Sequence, residues 1–322
     1  MRIVVLDDYS DALRRLIGLA GFADHQVDVH TEPTDDPAEV ARRLVEADVA
    51  VLIQQRTQLG RDVIERLPAL RLIIQTGRNL DHIDLAACNR RGIAVSAGGG
   101  GSPSSTAELT WALILAAARD LPAQVQHLRE GRWLDSIGLN LEGRTLGVYA
   151  FGRIGSVVAR IGQAFSMRVV CFGRDASRER ARAEGFEVTA DRAGFFSEVD
   201  VLTLHLPLRS GTRGLIGAAD LAAMKPTAIL VNTSRAGLIA PGVLEAALRN
   251  GRPGLAAVDV YQNEPVLGGR DPLLALPNAL CTPHLGYVTD ASYRALLGSA
   301  VERLRDFLAG RPIVLANAPA AD

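Results

Sequence analysis

The sequence predicts an α/β protein with two domains, each built on a parallel sheet that carries helices on both faces. The chain has 322 residues, which is more than one hydrophobic core usually serves. Short apolar runs alternate with amphipathic stretches along the whole chain, and this rhythm is typical of β-α-β units. Four consecutive glycines, residues 98–101, interrupt the alternation and indicate a domain boundary.

The elements before the glycines follow this rhythm. Ile3–Leu6, Val49–Ile53 and Leu72–Ile74 are short apolar runs closed by polar residues, as expected for buried parallel strands. Between them, Pro37–Glu46 and Arg61–Leu67 have helical periodicity.

A helix is predicted just past the glycines. Ser105 and Glu108 have the spacing of a capping box, in which each side chain binds the other residue's backbone N–H. The helix should run to about Asp120, because Pro122 lies just beyond it.

A second alternating series fills most of the remaining chain. Its strands are predicted at Thr145–Ala150, Arg168–Phe172, Val199–His205, Ala228–Asn232, Leu255–Val260 and Ala279–Thr282. A last helical pattern covers Asp290–Ala309 and stops before Pro312.

Composition and charge exclude several classes of protein. Lys and Arg number 35 against 36 for Asp and Glu, and this balance argues against a nucleic-acid or anionic-membrane binder. The N-terminus reaches charged residues by Asp7, and the longest apolar stretch, Leu109–Ala118, is too short to cross a bilayer. Cys88, Cys171 and Cys281 offer neither a disulfide framework nor a Cys-x-x-Cys pair, and no metal-ligand spacing occurs. We therefore expect a soluble, cytoplasmic protein without a metal site.

One strand leads into a glycine turn that could hold a dinucleotide. The segment Leu146–Gly155 is a strand followed by a turn with Gly152 and Gly155, and a helix is predicted at Ser156–Phe165. Such a turn lets backbone N–H groups approach a pyrophosphate at a helix N-terminus. The first glycine position of this fingerprint holds Ala150, and an ordinary β-α turn is the alternative interpretation.

The end of the following strand bears on the choice of cofactor. Sites for NAD place a carboxylate there to bind the ribose, whereas this strand ends in Gly173 and Arg174. A small residue followed by arginine favours the 2′-phosphate of NADP, and Arg178 could assist. In the alternative interpretation both arginines are solvated and Asp175 binds the ribose of NAD.

Three further strands each end in a side chain suited to chemistry. Arg235, Glu264 and His284 all follow strands of the second series, at the edge where open α/β sheets bind ligands. Histidine exchanges protons near neutral pH, a carboxylate orients it and favours its charged form, and arginine binds carboxylates with a planar fork.

With these blocks the chain resembles the D-isomer-specific 2-hydroxyacid dehydrogenases. The resemblance covers nearly the whole chain and rests on Gly77–Asp84, Gly152–Gly155, His205–Leu208, Asn232–Gly237, Asp259–Pro265 and Pro283-His284. It implies two doubly wound parallel-sheet domains, with a Rossmann cofactor domain (residues 100–288) inserted into a flavodoxin-like substrate domain (residues 1–99 and 289–322). The implied reaction transfers a hydride between NAD(P)H and a 2-oxo acid or its D-2-hydroxy acid, NADP being favoured over NAD.

The resemblance also implies the roles of individual residues. His284 exchanges the proton, Glu264 holds its ring, and Arg235 binds the substrate carboxylate and polarises the carbonyl group. The backbone N–H groups of Arg78 and Asn79, with Arg56, would receive the substrate. The expected cofactor contacts are Thr106, Gly152, Arg153, Ile154, Gly155, Arg174, His205, Pro207, Thr212, Thr233, Ser234, Asp259 and Gly286. For His205 a purely structural role is equally compatible with the sequence.

Some alternatives remain open. The segment Gln126–Trp133 resembles the family's dimerisation arm, so a homodimer is expected. A non-catalytic NAD(P)H sensor of the same fold is the second hypothesis, whereas a formate dehydrogenase is rejected because those enzymes carry glutamine where Glu264 stands. The identity of the acid stays open, with glyoxylate, hydroxypyruvate and pyruvate as analogies.

Overall fold

The chain folds into two compact units. The computed structural model describes residues 1–134 and 136–318. One unit consists of Met1–Ser102 together with the chain from Tyr287 onward, and the other consists of Pro103–Gly286.

The first unit begins with five strands and three short helices. They are β1 (Arg2–Leu6), β2 (Gln26–Val29), α1 (Pro37–Leu44), β3 (Val49–Ile53), α2 (Arg61–Ile64), β4 (Leu72–Thr76), α3 (Leu85–Arg90) and β5 (Ala94–Gly98). A turn of π-helix at Leu13–Ile17 and a turn of 3-10 helix at Ala20–Phe22 follow β1.

The second unit contains seven strands and seven α-helices among the described residues. In chain order they are α4 (Pro103–Ala118), α5 (Leu121–Arg129), β6 (Thr145–Tyr149), α6 (Arg153–Ala164), β7 (Arg168–Phe172), α7 (Asp175–Ala183), β8 (Glu187–Val188), α8 (Arg192–Glu198), β9 (Val201–Leu204), α9 (Ala218–Ala223), β10 (Ile229–Asn232), α10 (Val243–Arg249), β11 (Leu255–Val258) and β12 (Ala279–Cys281). Single turns of 3-10 helix lie at Ser210–Thr212, Ala236–Leu238 and Pro272–Ala275. The chain then returns to the first unit with helix α11 (Asp290–Leu308).

The sheet of the first unit is parallel throughout and has the order β2-β1-β3-β4-β5, which is the flavodoxin-like order. Every residue of β3 and β4 is buried, and this explains their continuous apolar runs. One face packs against α1 to α3 and the other against α11, so the sheet is doubly wound. Helix α1 begins where the sequence favours it, because the Asp36 side chain accepts the N–H of Ala38 and Pro37 occupies the first turn.

The sheet of the second unit is also parallel, in the order β12-β11-β10-β9-β6-β7-β8. Starting from β6, this is the Rossmann order with β12 added at one edge. A buried apolar cluster covers each face of the sheet. Because the strands run parallel, the carboxyl ends of β6, β7, β9, β10, β11 and β12 all lie at one edge of the sheet.

Several local predictions were wrong. Helix α4 begins at Pro103, two residues before the predicted cap Ser105, because proline suits the first turn of a helix. Helix α6 begins at Arg153 rather than Ser156, since Gly152 is its N-cap. Gly98 does not lie outside regular structure, because it is the last residue of β5 and pairs with Thr76 at the strand's end. Among the described residues, no helix combines the length and apolarity needed to cross a bilayer.

Candidate active site

Three neighbouring strands of the second unit carry the candidate catalytic residues. Arg235 follows β10, Glu264 follows β11 and His284 follows β12, and these strands are adjacent in the sheet. Since the strands are parallel, their carboxyl ends and the loops after them lie side by side.

Glu264 and His284 form a close pair. The distance between His284 Nδ1 and Glu264 Oε2 is 2.6 Å, and Glu264 Oε1 accepts the backbone N–H of Tyr261 at 2.8 Å. Burial alone would raise the pKa of Glu264, but the hydrogen bond and charge of His284, the Tyr261 N–H and the charge of Arg235 lower it overall. The pair therefore has an ionised carboxylate, whereas proton exchange between His284 Nε2 and a substrate stays a prediction.

His284 is held in an unusual backbone conformation. Its φ of 54° lies in the left-handed region, which residues other than glycine rarely adopt. Its N–H donates to Thr282 O at 3.0 Å, and the next two N–H groups, of Leu285 and Gly286, donate to the Asp259 carboxylate at 2.7 and 2.8 Å. These bonds sustain the strained turn that aims the imidazole.

Asp259 is the anchor of this turn. It is fully buried, and it also accepts the Thr282 hydroxyl at 2.6 Å. Burial raises the pKa of Asp259 in spite of these hydrogen bonds. Its predicted contact with the nicotinamide stays a prediction, whereas its hold on residues 282–286 is a feature of the fold.

The backbone before Arg235 is fixed by one buried amide. Asn232 Oδ1 accepts the N–H of Ser234 at 3.0 Å, and Asn232 Nδ2 donates to Arg235 O at 3.0 Å. Arg235 Nη1 donates to Ser234 O at 2.7 Å. Because the charge of Arg235 contributes to the lowered pKa of Glu264, the three candidate residues form one electrostatic group.

The glycine turn after β6 has the shape of an anion cradle. Gly152 caps the twelve-residue helix α6 without a side-chain hydrogen bond, and a Cβ built on Gly152 would meet nothing within 4 Å. A Cβ on Gly155 would lie 2.3 Å from Ala150 O, so only glycine fits there. The first-turn N–H groups, including those of Arg153 and Ile154, thus face a position that no side chain fills, and the residues fit a dinucleotide pyrophosphate.

Position 173, directly after β7, is a glycine and therefore offers no carboxylate to a cofactor in this cradle. Gly173 has φ 152°, and a Cβ there would lie 3.2 Å from Ser177 Oγ, whose oxygen accepts the Phe151 N–H at 2.7 Å. Arg174 is exposed and is the N-cap of α7. Arg178 forms an ion pair with Asp175, a carboxylate whose side chain is 82% exposed.

Of the other predicted cofactor residues, Thr106 lies in α4, Thr212 ends a 3-10 turn, and the rest lie in loops after strands. Three of their hydroxyl groups donate to backbone carbonyls. Thr106 Oγ1 donates to Gly286 O at 2.9 Å, Thr212 Oγ1 to Pro207 O at 2.7 Å and Ser234 Oγ to Leu206 O at 2.6 Å. Thr233 pairs with the Thr110 hydroxyl at 2.8 Å. His205 Nε2 is buried without a partner among the described residues, and burial lowers the pKa of His205 to about 4.

The predicted substrate residues belong to the first unit. Arg56 follows β3, lies 4.3 Å from the ring centre of Tyr9, and donates to Asp7 O at 2.7 Å and to the Tyr293 hydroxyl at 2.8 Å. Arg78 is exposed after β4, and Asn79 Oδ1 accepts the N–H of Asp81 at 2.8 Å. Their joint action with Arg235, Glu264 and His284 stays a prediction.

Sequence reasoning missed the residues that support the site. Asn232 and Ser177 each fix a loop by accepting a backbone N–H, and the Thr282 hydroxyl donates to the Asp259 carboxylate. The Tyr261 N–H holds the second oxygen of Glu264. Asn232 and Tyr261 lie inside blocks that carry the family resemblance, but nothing in those blocks marks a supporting role, and Ser177 lies in no such block.

Comparison with known proteins identifies similar sequences and structures. Residues 111–286 match the family model described as "D-isomer specific 2-hydroxyacid dehydrogenase, NAD binding domain". The chain is 39% identical to the glyoxylate reductase of Aeropyrum pernix over 259 residues, covering 78% of this chain and 77% of that protein. It is 35% identical to the D-3-phosphoglycerate dehydrogenase of Methanocaldococcus jannaschii over 312 residues, covering 96% of this chain but only 58% of that relative.

A solved oxidoreductase structure from Ralstonia solanacearum is similar over the full length. It superposes with a TM-score of 0.94 at 43% identity, covering 99% of this chain and 98% of the other.

Proposed function

Because this chain belongs to the D-isomer-specific 2-hydroxyacid dehydrogenase family, we propose that it transfers a hydride between a nicotinamide cofactor and a 2-oxo acid or its D-2-hydroxy acid. The observation that carries the proposal is the 2.6 Å pair of His284 and Glu264, next to the charge of Arg235. A proton donor and an arginine are what carbonyl reduction requires besides the hydride. In this proposal the second unit, Pro103–Gly286, binds the cofactor and the first unit binds the substrate.

The chain's own residues have separate tasks in this reaction. The bound nicotinamide supplies the hydride in reduction and accepts it in oxidation. His284 Nε2 gives a proton to the carbonyl oxygen in reduction and removes it from the alcohol in oxidation, while Glu264 holds Nδ1 and stabilises the imidazolium.

The substrate carboxylate is assigned to two groups of donors. Arg235 offers two parallel N–H bonds and polarises the carbonyl next to the carboxylate. The backbone N–H groups of Arg78 and Asn79, with Arg56, complete the proposed substrate contacts on the first unit. The contacts on the first unit bind the carboxylate equally in the ground state and the transition state. Their loss should therefore change chiefly KM.

We propose NADP(H) as the preferred cofactor. Support comes from exposed Arg174 and from Gly173, where a longer side chain would crowd Ser177. A 2′-phosphate there would meet the Arg174 guanidinium, and position 173 offers no carboxylate to repel it. The pairing of Arg178 with Asp175 also brings a second guanidinium to this end of β7.

We further propose a cytoplasmic location. Within the described residues all three cysteines are free, and Cys88 and Cys171 are buried. Burial raises the pKa of both thiols to about 12, so they act as inert core residues in a reducing compartment.

The test is oxidation of NADPH and of NADH, followed by absorbance, with glyoxylate, hydroxypyruvate, pyruvate and longer 2-oxo acids. Wild type should turn over with a lower KM for NADPH, and His284→Ala should lose about 10²- to 10⁴-fold in kcat. The control His25→Ala removes a histidine of the first unit and should keep wild-type turnover. Arg174→Ser should raise the KM for NADPH and leave that for NADH unchanged.

Each other outcome has a defined meaning. A preference for NADH would contradict the NADP proposal and leave the dehydrogenase standing. Tight cofactor binding by wild type with no turnover on any acid would contradict the dehydrogenase and favour the NAD(P)H sensor.

A further inference from the structure

We propose that Gln75 and His82 are positioning residues that set the loop Gly77–Asn79 for the substrate carboxylate. The inference rests on the proposed function, which assigns the Arg78 and Asn79 N–H groups to that carboxylate. Neither residue touches the reacting atoms in this proposal; both act through the loop between them.

Gln75 is a fully buried amide inside an apolar strand. It lies in β4, and its Nε2 donates to Gln54 O at 2.7 Å and to Thr76 O at 2.9 Å. Two carbonyl acceptors determine which end of the amide is nitrogen. The other end, Oε1, therefore accepts, and it lies 3.1 Å from His82 Nε2.

This contact determines which tautomer the neutral His82 ring adopts. Because Gln75 Oε1 can only accept, His82 Nε2 carries the hydrogen and Nδ1 carries the lone pair. His82 is buried, and its Nδ1 has no partner among the described residues. Burial lowers the pKa of His82 to about 4, so the ring stays neutral and serves as a hydrogen-bond donor to Gln75.

The hydrogen bond closes the loop at its base. Gln75 precedes the loop and His82 follows it, so the bond joins the two sides between which Arg78 and Asn79 lie. The incoming side is also held by Gly77 N–H to Gly98 O at 2.8 Å, and the outgoing side by Leu59 N–H to His82 O at 2.8 Å.

Two further contacts leave the loop little freedom. Gly77 has φ 89°, and a Cβ on it would lie 3.0 Å from Gln54 Nε2, so the turn is tight as well as left-handed. Arg303 Nη2 reaches the carbonyls of Gln75 and Gly98 at 3.2 and 3.3 Å, which ties the ends of β4 and β5 together. The position of the loop's N–H groups therefore depends on the buried pair beneath them.

Loss of the pair should weaken substrate binding and leave the chemical step intact. A shift of the loop misdirects N–H groups that bind the carboxylate equally in the ground and transition states. Proton exchange at His284 and cofactor binding on the other unit do not use this loop. A rise in KM for the 2-oxo acid with unchanged kcat is the expected signature.

The experiment compares His82→Phe with His82→Gln. Phenylalanine keeps the planar bulk and removes the donor, and the KM for the 2-oxo acid should rise about tenfold, roughly the effect of one misaligned charge-assisted hydrogen bond. Glutamine restores an N–H donor and should bring KM back to within about threefold of wild type. In both variants kcat and the KM for the nicotinamide should stay within about twofold.

Two more variants separate positioning from stability. Gln75→Met removes the partner amide, should reproduce the His82→Phe effect, and serves in its place if that variant does not fold. Asn317→Leu is the control, because Asn317 makes partly buried hydrogen bonds in the same unit, to Val95, Asn89 and Ile93. It should lower thermal stability without raising KM.

The outcomes are distinguishable. If wild type turns over no 2-oxo acid, the proposed function has failed. If wild type is active and both His82→Phe and Gln75→Met keep the wild-type KM, or lose kcat instead, the positioning role is wrong. A KM rise in Asn317→Leu equal to that of His82→Phe would also overturn it, since general destabilisation would then suffice.

Discussion

At the scale of single residues, the turns after strands store backbone strain where the chemistry is placed. Ala150 follows β6 with φ 79°, His284 follows β12 with φ 54°, and Gln54 follows β3 with φ 53°. A left-handed residue reverses the chain sharply and re-aims the next groups, at a cost that the surrounding hydrogen bonds must offset. The three positions belong to the proposed cofactor turn, the proposed proton donor and the support of the proposed substrate loop.

Ala150→Gly should stabilise the protein. Glycine relieves the left-handed strain of about 1–2 kcal/mol, and its greater freedom in the unfolded chain removes part of that gain, so we expect a net increase of about 0.5–1 kcal/mol in the free energy of unfolding. Urea denaturation measures the difference. The control is Ala159→Gly in the interior of α6, which should destabilise by about 1 kcal/mol. Equal loss in both variants would contradict a strained Ala150.

The buried histidines should make the protein unstable in acid. The pKa of His82 and of His205 is lowered to about 4, against 6.5 for the unfolded chain. Below pH 6.5 each of these histidines is protonated in the unfolded state but stays neutral in the folded state. The free energy of unfolding therefore falls as the pH falls from 6.5 to 4, by up to about 3 kcal/mol for each histidine.

His82→Gln isolates one of these contributions. The buried carboxyls of Asp7 and Asp259, whose pKa values are raised by burial, oppose the trend, so the quantity to compare is the difference between wild type and variant. Denaturation at pH 7 and pH 4.5 should show a smaller drop for His82→Gln. The control Asn317→Leu removes no titratable group and should keep the wild-type drop. An unchanged drop in His82→Gln would show that His82 does not stay neutral.

At the scale of elements, the function depends on where helices begin. Helix α6 starts at Arg153 behind a glycine cap, so its first turn has backbone donors and no side chain in front of them. Helix α7 starts behind Arg174, which brings a cation to the next strand end. Each helix thus presents its positive end where part of a dinucleotide would lie.

Gly152→Ala tests the cradle without disturbing the fold. The φ of Gly152 is −105°, which alanine adopts, and its Cβ would meet no atom within 4 Å. We expect the stability to stay within about 0.5 kcal/mol while the cofactor KM rises several-fold, because the methyl group would occupy the pyrophosphate position. Gly60→Ala, at another open N-cap, is the control and should leave KM unchanged. An unchanged cofactor KM in Gly152→Ala would place the pyrophosphate elsewhere.

At the scale of the whole molecule, one segment of the second unit leaves apolar side chains in water. Leu128 in α5 is 61% exposed, Trp133 82% and Ile137 99%. Large apolar side chains exposed on one segment are typical of interaction surfaces. Together with the resemblance of Gln126–Trp133 to a dimerisation arm, they support the proposal that a second copy of this chain covers them.

The double variant Leu128→Glu with Trp133→Glu should be monomeric. Two buried charges at an interface would oppose association, and light scattering after gel filtration should give half the wild-type mass. Leu274→Glu, which changes an exposed leucine elsewhere in the second unit, should keep the wild-type mass. A monomeric wild type, or a dimeric double variant, would refute the interface.

Much of the fold was predictable because burial leaves a periodic mark on the sequence. Strands β3, β4 and β7 are buried almost throughout, and each was recognised as an apolar run. Strands β2, β5 and β8 were not identified, because they lie at or near sheet edges and mix polar with apolar residues. Helices α4 and α6 begin two and three residues earlier than predicted, at Pro103 and Arg153, because local capping interactions determine where a helix begins.

The sequence by itself determined the fold class, the family and the identity of the residues that could do chemistry. Arginine, glutamate and histidine at successive strand ends are readable because strand ends and side-chain types are local properties. Only the tertiary structure decided which atoms meet: His284 Nδ1 with Glu264 Oε2, Asp259 with the turn behind His284, and Gln75 with His82. Distances between loops depend on sheet order and twist, which are set by packing over the whole unit and leave no local mark in the sequence.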